Sequence, residues 1–223
     1  MTAAACIRRA AWCAFGALAF PAYAHAAPIA RADLVALCAD VEDQAQCGRL
    51  VEARKLRALP GIAERNGDEL RVSLVPFGLS VFHDTINFRG ARTYAVWDYL
   101  EHFDTLVLFT TVGERSGFLL VQRRSGEEYR VPSDPVIAPD DRHFATADFC
   151  EHECDNEVAI WRIDRQSLRK EATWSPPVAW SNVSVSWRGA DTVVIEYSPV
   201  DDPRLQTIAR RLDDPSWKKV RAK

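Results

Sequence analysis

Apolar and polar residues alternate with a period of two along most of the chain after residue 68. Residues Glu69–Val75 (ELRVSLV) give a clear example, with every second side chain apolar, as on a half-buried strand. Ten further strand candidates follow, rich in β-branched and aromatic residues: Leu79–Thr85, Thr93–Tyr99, Thr105–Val112, Gly117–Arg123, Glu128–Val131, Phe144–Phe149, Val158–Ile163, Val183–Trp187, Thr192–Tyr197 and Gln206–Leu212. Short strands at regular spacing predict a mainly β body.

A helical period precedes these strands. Between Ala32 and Leu59, Leu34, Leu37 and Val41 recur at helical spacing, and Pro60-Gly61 ends the segment. We therefore expect a helical segment before the strands, and those helices could cap an exposed sheet edge.

Residues 1–26 have the three parts of a secretory signal peptide. Arg8 and Arg9 precede an apolar stretch, and small-x-small cleavage sites follow at residues 22–24 and 24–26. The stretch is shorter than the roughly 20 residues that span a bilayer, although a retained membrane anchor is the alternative. We expect a periplasmic or secreted protein of a Gram-negative bacterium, with no transmembrane segment after signal removal.

Signal removal also fixes the charge of the mature chain. Lys plus Arg falls from 28 to 26 while Asp plus Glu stays at 31, which gives a net charge of −5. This acidic balance argues against nucleic acid as a partner, because phosphate backbones demand clustered cations. The basic segment 216–223 is predicted to be a solvated tail.

Four cysteines remain in the mature chain: Cys38, Cys47, Cys150 and Cys154. An oxidising compartment favours two disulfides among three possible connectivities, and proximity suggests Cys38–Cys47 and Cys150–Cys154. On one continuous helix the first pair would lie about 13 Å apart, whereas a disulfide needs about 4.4–6.8 Å. Either the chain turns near Asp40–Gln46, giving two short helices clipped together, or the pairing is different.

The loop closed by the second pair is the sharpest polar cluster in the sequence. Its candidate binding residues are Glu151, His152, Glu153 and Asp155. With free thiols the cluster resembles a set of zinc ligands, but a disulfide would remove both thiolates. We therefore expect no metal and no cofactor, and a solvated acidic loop.

Three segments of roughly 40 residues share one order of turn, apolar strand, loop, second apolar strand and polar strand, as propeller blades do. They begin at residues 99, 137 and 187. Residues 135–147 (PVIAPDDRHFATA) and 157–163 (EVAIWRI) resemble a blade of a TolB-like or WD40-like β-propeller. Ala138 and Asp141 stand where that blade motif has Ser and Gly.

The arrangement as a whole is similar to uncharacterised exported proteobacterial proteins. The resemblance implies three to four small antiparallel blades, in a complete or an incomplete ring, and assigns no catalytic residue. It divides the chain into a signal peptide (1–26), a disulfide-clipped helical segment (27–61), a propeller-like domain (62–215) and a basic tail (216–223).

Catalytic motifs are weak in this sequence. No Gly-x-Ser-x-Gly elbow occurs, and the pairs His83-Asp84 and His102-x-Asp104 lack a partner serine. The aromatic residues are more suggestive, because Trp and Tyr anchor many interfaces, although they also fill cores. The candidate aromatic surface comprises Trp97, Tyr99, Trp174 and Trp180.

Three hypotheses for the function follow. The first is an exported, non-enzymatic protein that binds another protein or an envelope polymer. The second is a periplasmic inhibitor or immunity-type protein acting through the acidic Cys150–Cys154 loop. The third is a metal-binding protein or enzyme that uses the same loop.

Overall fold

The computed structural model describes residue 29 and residues 31–87, 90–149, 154–164, 167–176, 179–202 and 204–220. Two helices, α1 (Arg31–Cys38) and α2 (Gln44–Lys55), precede the strands. The strands are β1 (Ala63–Asn66), β2 (Glu69–Ser73), β3 (Leu79–His83), β4 (Thr85–Asn87), β5 (Gly90–Leu100), β6 (Thr105–Val112), β7 (Arg115–Gln122), β8 (Glu128–Val131), β9 (Val136–Ile137), β10 (His143–Asp148), β11 (Glu157–Ile163), β12 (Leu168–Trp174), β13 (Trp180–Arg188), β14 (Thr192–Pro199), β15 (Gln206–Arg211) and β16 (Lys218–Lys219). The prediction of a mainly β chain with helices near its start is confirmed.

The strands form four small antiparallel sheets. Sheet A contains β1-β2-β3, and sheet B contains β4-β5-β6-β7-β8. Sheet C has the order β16-β12-β11-β10-β9, and sheet D has β13-β14-β15. Apart from β16, each sheet is built from strands that follow one another along the chain, because hairpins join them.

The four sheets stack in chain order around three layers of apolar side chains. Sheets A and B share one layer, sheets B and C a second, and sheets C and D a third. Neighbouring residues of β6 illustrate this, since Leu106 belongs to the first layer and Val107 to the second. A strand buried on both faces needs apolar residues at successive positions, which explains the run LVLF within β6.

The N-terminal helices are two short elements joined by a disulfide, as predicted. Cys38 ends α1 and bonds to Cys47 in α2, with 5.2 Å between their Cα atoms. Residues 39–43 make the turn, and Asp43 caps α2 by accepting a hydrogen bond of 2.9 Å from the Ala45 amide. The bond therefore closes across a reversal of the chain.

Helix α2 covers the part of β5 that β4 leaves unpaired. The pairing of β4 with β5 stops at Arg92, and beyond it the Glu52 carboxylate of α2 accepts a 2.9 Å hydrogen bond from the Val96 amide. The adjacent Tyr94 amide donates to Asp84, and the Tyr94 carbonyl accepts from Arg65. Side chains thus take the place of a neighbouring strand at this edge.

Two predicted boundaries are wrong. Residues 216–220 are not a frayed tail, because Trp217 is buried against sheets C and D and Lys218–Lys219 pair with β12. The strand predicted at Leu79–Thr85 divides at Asp84 into β3 and β4, which belong to different sheets. The first repeat is predicted to begin at residue 99, whereas sheet B begins at Thr85.

Candidate binding cleft

Helix α1 and sheets B, C and D meet around two adjoining cavities, which together we call the cleft. Their volumes are about 380 Å³ and about 90 Å³. Ile29, Leu34 of α1 and Asp134 line both cavities. The larger cavity is otherwise lined by Ser133, Val136, Ala147, Val183, Ser184 and Val185. A mainly apolar cleft with a few polar groups is the usual form of a ligand site.

Asp134 is the carboxylate of the cleft, and it lies on the chain segment between β8 and β9. The residue as a whole is exposed to solvent. Its side chain also lines both cavities of the cleft, so its carboxyl has protein around it as well as solvent. The surrounding protein raises the pKa of Asp134 to about 6, against a smaller opposing effect of the hydrogen bond from the Trp97 indole. A carboxyl that titrates near neutral pH inside a cleft is typical of functional sites.

The smaller cavity is bounded by an ion pair and an aromatic cluster. Lys55 Nζ lies 2.6 Å from Asp98 Oδ1, and the Lys55 side chain is only 4% exposed. Trp97 packs against Phe109 and Phe118, with ring centroids 5.4 and 5.5 Å away. The indole that donates to Asp134 is therefore held in place by its neighbours.

A backbone contact fixes the segment that carries Asp134. Strand β9 pairs with β10 only as far as Ala145, and beyond that point the Ala147 amide donates to the Ser133 hydroxyl at 3.0 Å. Ser133 thus satisfies the edge of β10 that β9 leaves open. Asp134 is the next residue, so its position depends on this hydrogen bond.

A second, more polar cavity of about 150 Å³ lies between sheets B and C, at the base of the hairpin that carries Cys154. Asp148, Asp155 and Glu157 line it together with Lys170 and Trp161. Lys170 Nζ contacts Glu157 at 2.8 Å and lies 5.3 Å from the Trp161 ring centroid. Burial raises the pKa of Asp148, and the negative charges of Asp155 and Glu157 act in the same direction. The hydrogen bond from the Asp155 amide and the charge of Lys170 oppose this rise.

The predicted binding loop is described only in part. Glu151, His152 and Glu153 lie outside the described residues, as does Cys150, the predicted partner of Cys154. Cys154 itself is disulfide-bonded and therefore offers no thiolate. Asp155 is exposed beside the polar cavity. Within the described ranges, no three His, Cys, Asp or Glu side chains are grouped to hold a metal ion.

The structure does not assemble the predicted aromatic surface. Trp174 and Trp180 are buried in the layer between sheets C and D, at 7% and 1% exposure. Tyr99 packs against the layer between sheets A and B and donates a hydrogen bond of 2.8 Å to Asp104. Of the four residues, only Trp97 lines the cleft, at the position in β5 where the register with β6 shifts between Val96 and Asp98.

The carboxylates of the two His–Asp pairs noted in the sequence contact arginine side chains. Asp84 forms ion pairs with Arg49 and Arg65, and Asp104 forms one with Arg123 at 2.6 Å. Both carboxylates are thus structural, and neither orients the histidine near it in the sequence.

In the described part of the chain, no helix is long and apolar enough to cross a bilayer.

Sequence reasoning missed the residues that define the cleft. Asp134 stands in the sequence between a serine and a proline, which is the context of an ordinary turn, and Lys55 belongs to a charged helix face. The one available signal was Trp97, which the aromatic pattern had selected.

Neither a protein-family model, nor a curated protein, nor a solved structure matches this chain.

Proposed function

We propose that the chain is an exported, non-enzymatic protein of propeller-like architecture that binds another protein or an envelope polymer in its cleft. The observation that carries the proposal is the cleft itself, with apolar walls contributed by four parts of the fold and one carboxyl that titrates near neutral pH. Such a combination is the default form of a binding site.

The propeller-like description is supported by the stacking of the sheets and by one turn. Between β9 and β10 the Asp141 amide donates to the Ala138 carbonyl at 3.0 Å, and Asp141 adopts a φ of 53°. That left-handed conformation favours glycine, which is the residue that the blade motif has at this position. The Cys38–Cys47 disulfide supports export, since such bonds persist outside the cytosol.

A matched pair of variants on α1 tests the binding proposal. Leu34→Glu places a carboxylate in the cleft, whereas Val35→Glu changes the next residue, which is 64% exposed. Immobilised mature protein and both variants are used to capture partners from an envelope extract, and the captured partner is then purified and titrated. We expect wild type and Val35→Glu to bind equally, and Leu34→Glu to bind at least tenfold more weakly.

Circular dichroism and melting of each variant control for misfolding. Capture of no specific partner, or equal binding by all three folded proteins, would contradict the proposal.

A second candidate function is inhibition of a basic target through the surface beside Cys154. Three carboxylates (Asp148, Asp155 and Glu157) line the polar cavity beside two cations (Lys170 and Arg130), and this surplus of negative charge favours it. Binding of this kind weakens as salt rises. We expect Asp155→Asn to weaken capture of a basic hydrolase or toxin, and exposed Asp201→Asn to leave it unchanged. This function would be excluded if the affinity for the captured partner changed neither with salt concentration nor in Asp155→Asn.

A further inference from the structure

The larger cavity of the cleft runs along an edge of strand β13 with which no strand of the described ranges pairs. Val183, Ser184 and Val185 all line it, although successive residues of a strand point to opposite faces. A cavity that touches all three therefore meets the backbone at the edge of the strand. Strand β13 is the terminal strand of sheet D, and only its other edge pairs with β14.

One end of this edge is closed and the rest is open to the cleft. The Trp187 indole donates to the Val136 carbonyl at 2.8 Å, which joins β13 to β9. The stretch from Val183 to Val185 lies before that contact. Three residues of extended chain span about 10 Å, a length that two or three residues of an added strand would match.

The two carboxylates of the cleft differ in their ion pairing. Asp134 forms no ion pair with any residue in the described ranges. The nearby Lys55 ammonium lies 2.6 Å from Asp98, and its charge acts on Asp134 from a distance, where it lowers the pKa. The Trp97 indole supplies Asp134 with one neutral donor. A carboxylate accepts up to about four hydrogen bonds, so Asp134 keeps acceptor capacity that a cation from outside would fill.

We propose that the cleft binds an extended, mainly apolar peptide segment that adds to β13 as a strand and places one Lys or Arg side chain on Asp134. The proposal rests on the binding function proposed above and names the chemistry of the partner. Strand addition supplies affinity through main-chain hydrogen bonds, and pockets for alternate side chains supply specificity. The apolar residues Leu34, Val136 and Val185 would contact the apolar side chains of the peptide.

A random heptapeptide library displayed on phage tests this directly. The library is selected in parallel on mature wild-type protein, on Asp134→Asn and on the control Asp201→Asn. We expect wild type and Asp201→Asn to select peptides with apolar residues at alternate positions and one Lys or Arg at a fixed position. Asp134→Asn should lose the basic preference and bind the selected peptides about tenfold more weakly.

Three further measurements locate the peptide. Leu34→Glu should abolish binding of the selected peptides while Val35→Glu retains it. Hydrogen exchange at residues 183–185 should slow when a selected peptide is bound, and a peptide methylated at alternate backbone nitrogens should not bind.

The outcomes separate this inference from the proposed function. Peptides that depend on Leu34 but carry no basic residue, or that bind wild type and Asp134→Asn equally, overturn the inference and leave a binding cleft. Unchanged exchange at residues 183–185 overturns strand addition. Selection of no peptide that depends on Leu34, together with no partner captured from the extract, overturns both.

Discussion

At the scale of single residues, Asp134 destabilises the fold at neutral pH. Its pKa is raised from 3.8 to about 6 by the surrounding protein, so the folded state holds a proton that the unfolded state releases between those values. The free energy of unfolding therefore decreases as pH rises from about 4 to about 6, and the loss is complete above pH 6.

Asp134→Asn removes this titration while keeping an oxygen that accepts from Trp97. We expect the variant to melt about 2–4 °C above wild type at pH 7.5, with no difference at pH 3.5. The shift corresponds to about 1 kcal/mol, because solvent screens a carboxyl that is exposed. The measurement is thermal unfolding at both pH values, and Asp201→Asn should melt like wild type throughout. An equal shift at both pH values would contradict the assignment.

Gly48 is a residue whose missing side chain lets α2 approach sheet B. A Cβ at this position would lie 2.8 Å from Phe109 Cδ1 and 3.2 Å from the Ala95 Cβ, and Trp97 and Phe118 hold the Phe109 ring. Alanine is normally favoured over glycine in a helix by about 1 kcal/mol. Here we expect Gly48→Ala to lower the free energy of unfolding by about 1–3 kcal/mol, because the cost of overpacking exceeds the gain in helix propensity.

Urea unfolding measures this change, and Gln46→Ala, at an exposed position of the same helix, is the control. A stabilised Gly48→Ala protein would show that α2 moves away from the sheet at little cost.

At the scale of elements, one buried carboxylate joins α2 to the unpaired edge of β5. Glu52 is 3% exposed and bonds to Arg65 at 2.9 Å, to Arg49 at 2.8 Å and to the Val96 amide. Removing it leaves both guanidinium groups and the amide without this acceptor. We expect Glu52→Ala to cost about 3–5 kcal/mol, measured by urea unfolding, with faster hydrogen exchange at Val96.

Exposed Glu42→Ala is the matched control and should change neither quantity. Unaltered exchange at Val96 in Glu52→Ala would contradict a role for Glu52 at this edge.

Part of the element arrangement could be predicted from the sequence. The hairpins of sheets A and D follow from alternating residues, because each of these sheets has one solvated face. The Cys38–Cys47 turn follows from helix geometry and the reach of a disulfide. The prediction of a solvated tail is wrong because Lys218 and Lys219 have the composition of a solvated segment. The deciding residue is Trp217, whose burial depends on sheets C and D.

The cleft could not be predicted for a related reason. Asp134 acquires its raised pKa from elements that are far apart along the chain, including Trp97 and the neighbouring charges of Asp98 and Lys55. Periodicity describes one element at a time, so it cannot show where the unpaired edges of three sheets meet.

At the scale of the whole molecule, the helical segment is part of the core. Val51 is 1% exposed, and α2 supplies the contacts that cover β5. Deleting residues 32–59 should therefore yield a protein that aggregates or fails to fold. Size-exclusion chromatography and circular dichroism test this, with Cys38→Ser/Cys47→Ser as the control that keeps both helices and should remain monomeric, about 2–3 kcal/mol less stable.

A truncated chain that stays monomeric with an unchanged circular dichroism spectrum and melting point would contradict this role of the helices.

The order of the sheets has a consequence for cooperativity. Each sheet shares an apolar layer only with the sheets beside it along the chain, so the stability of the molecule approximates a sum of nearest-neighbour terms, as in a linear array of repeats. Sheets A and D are each coupled to the others through one layer, whereas sheets B and C are each coupled through two. Local unfolding should therefore begin at one of the two terminal sheets, and the open edge of β13 belongs to one of these two less strongly coupled units.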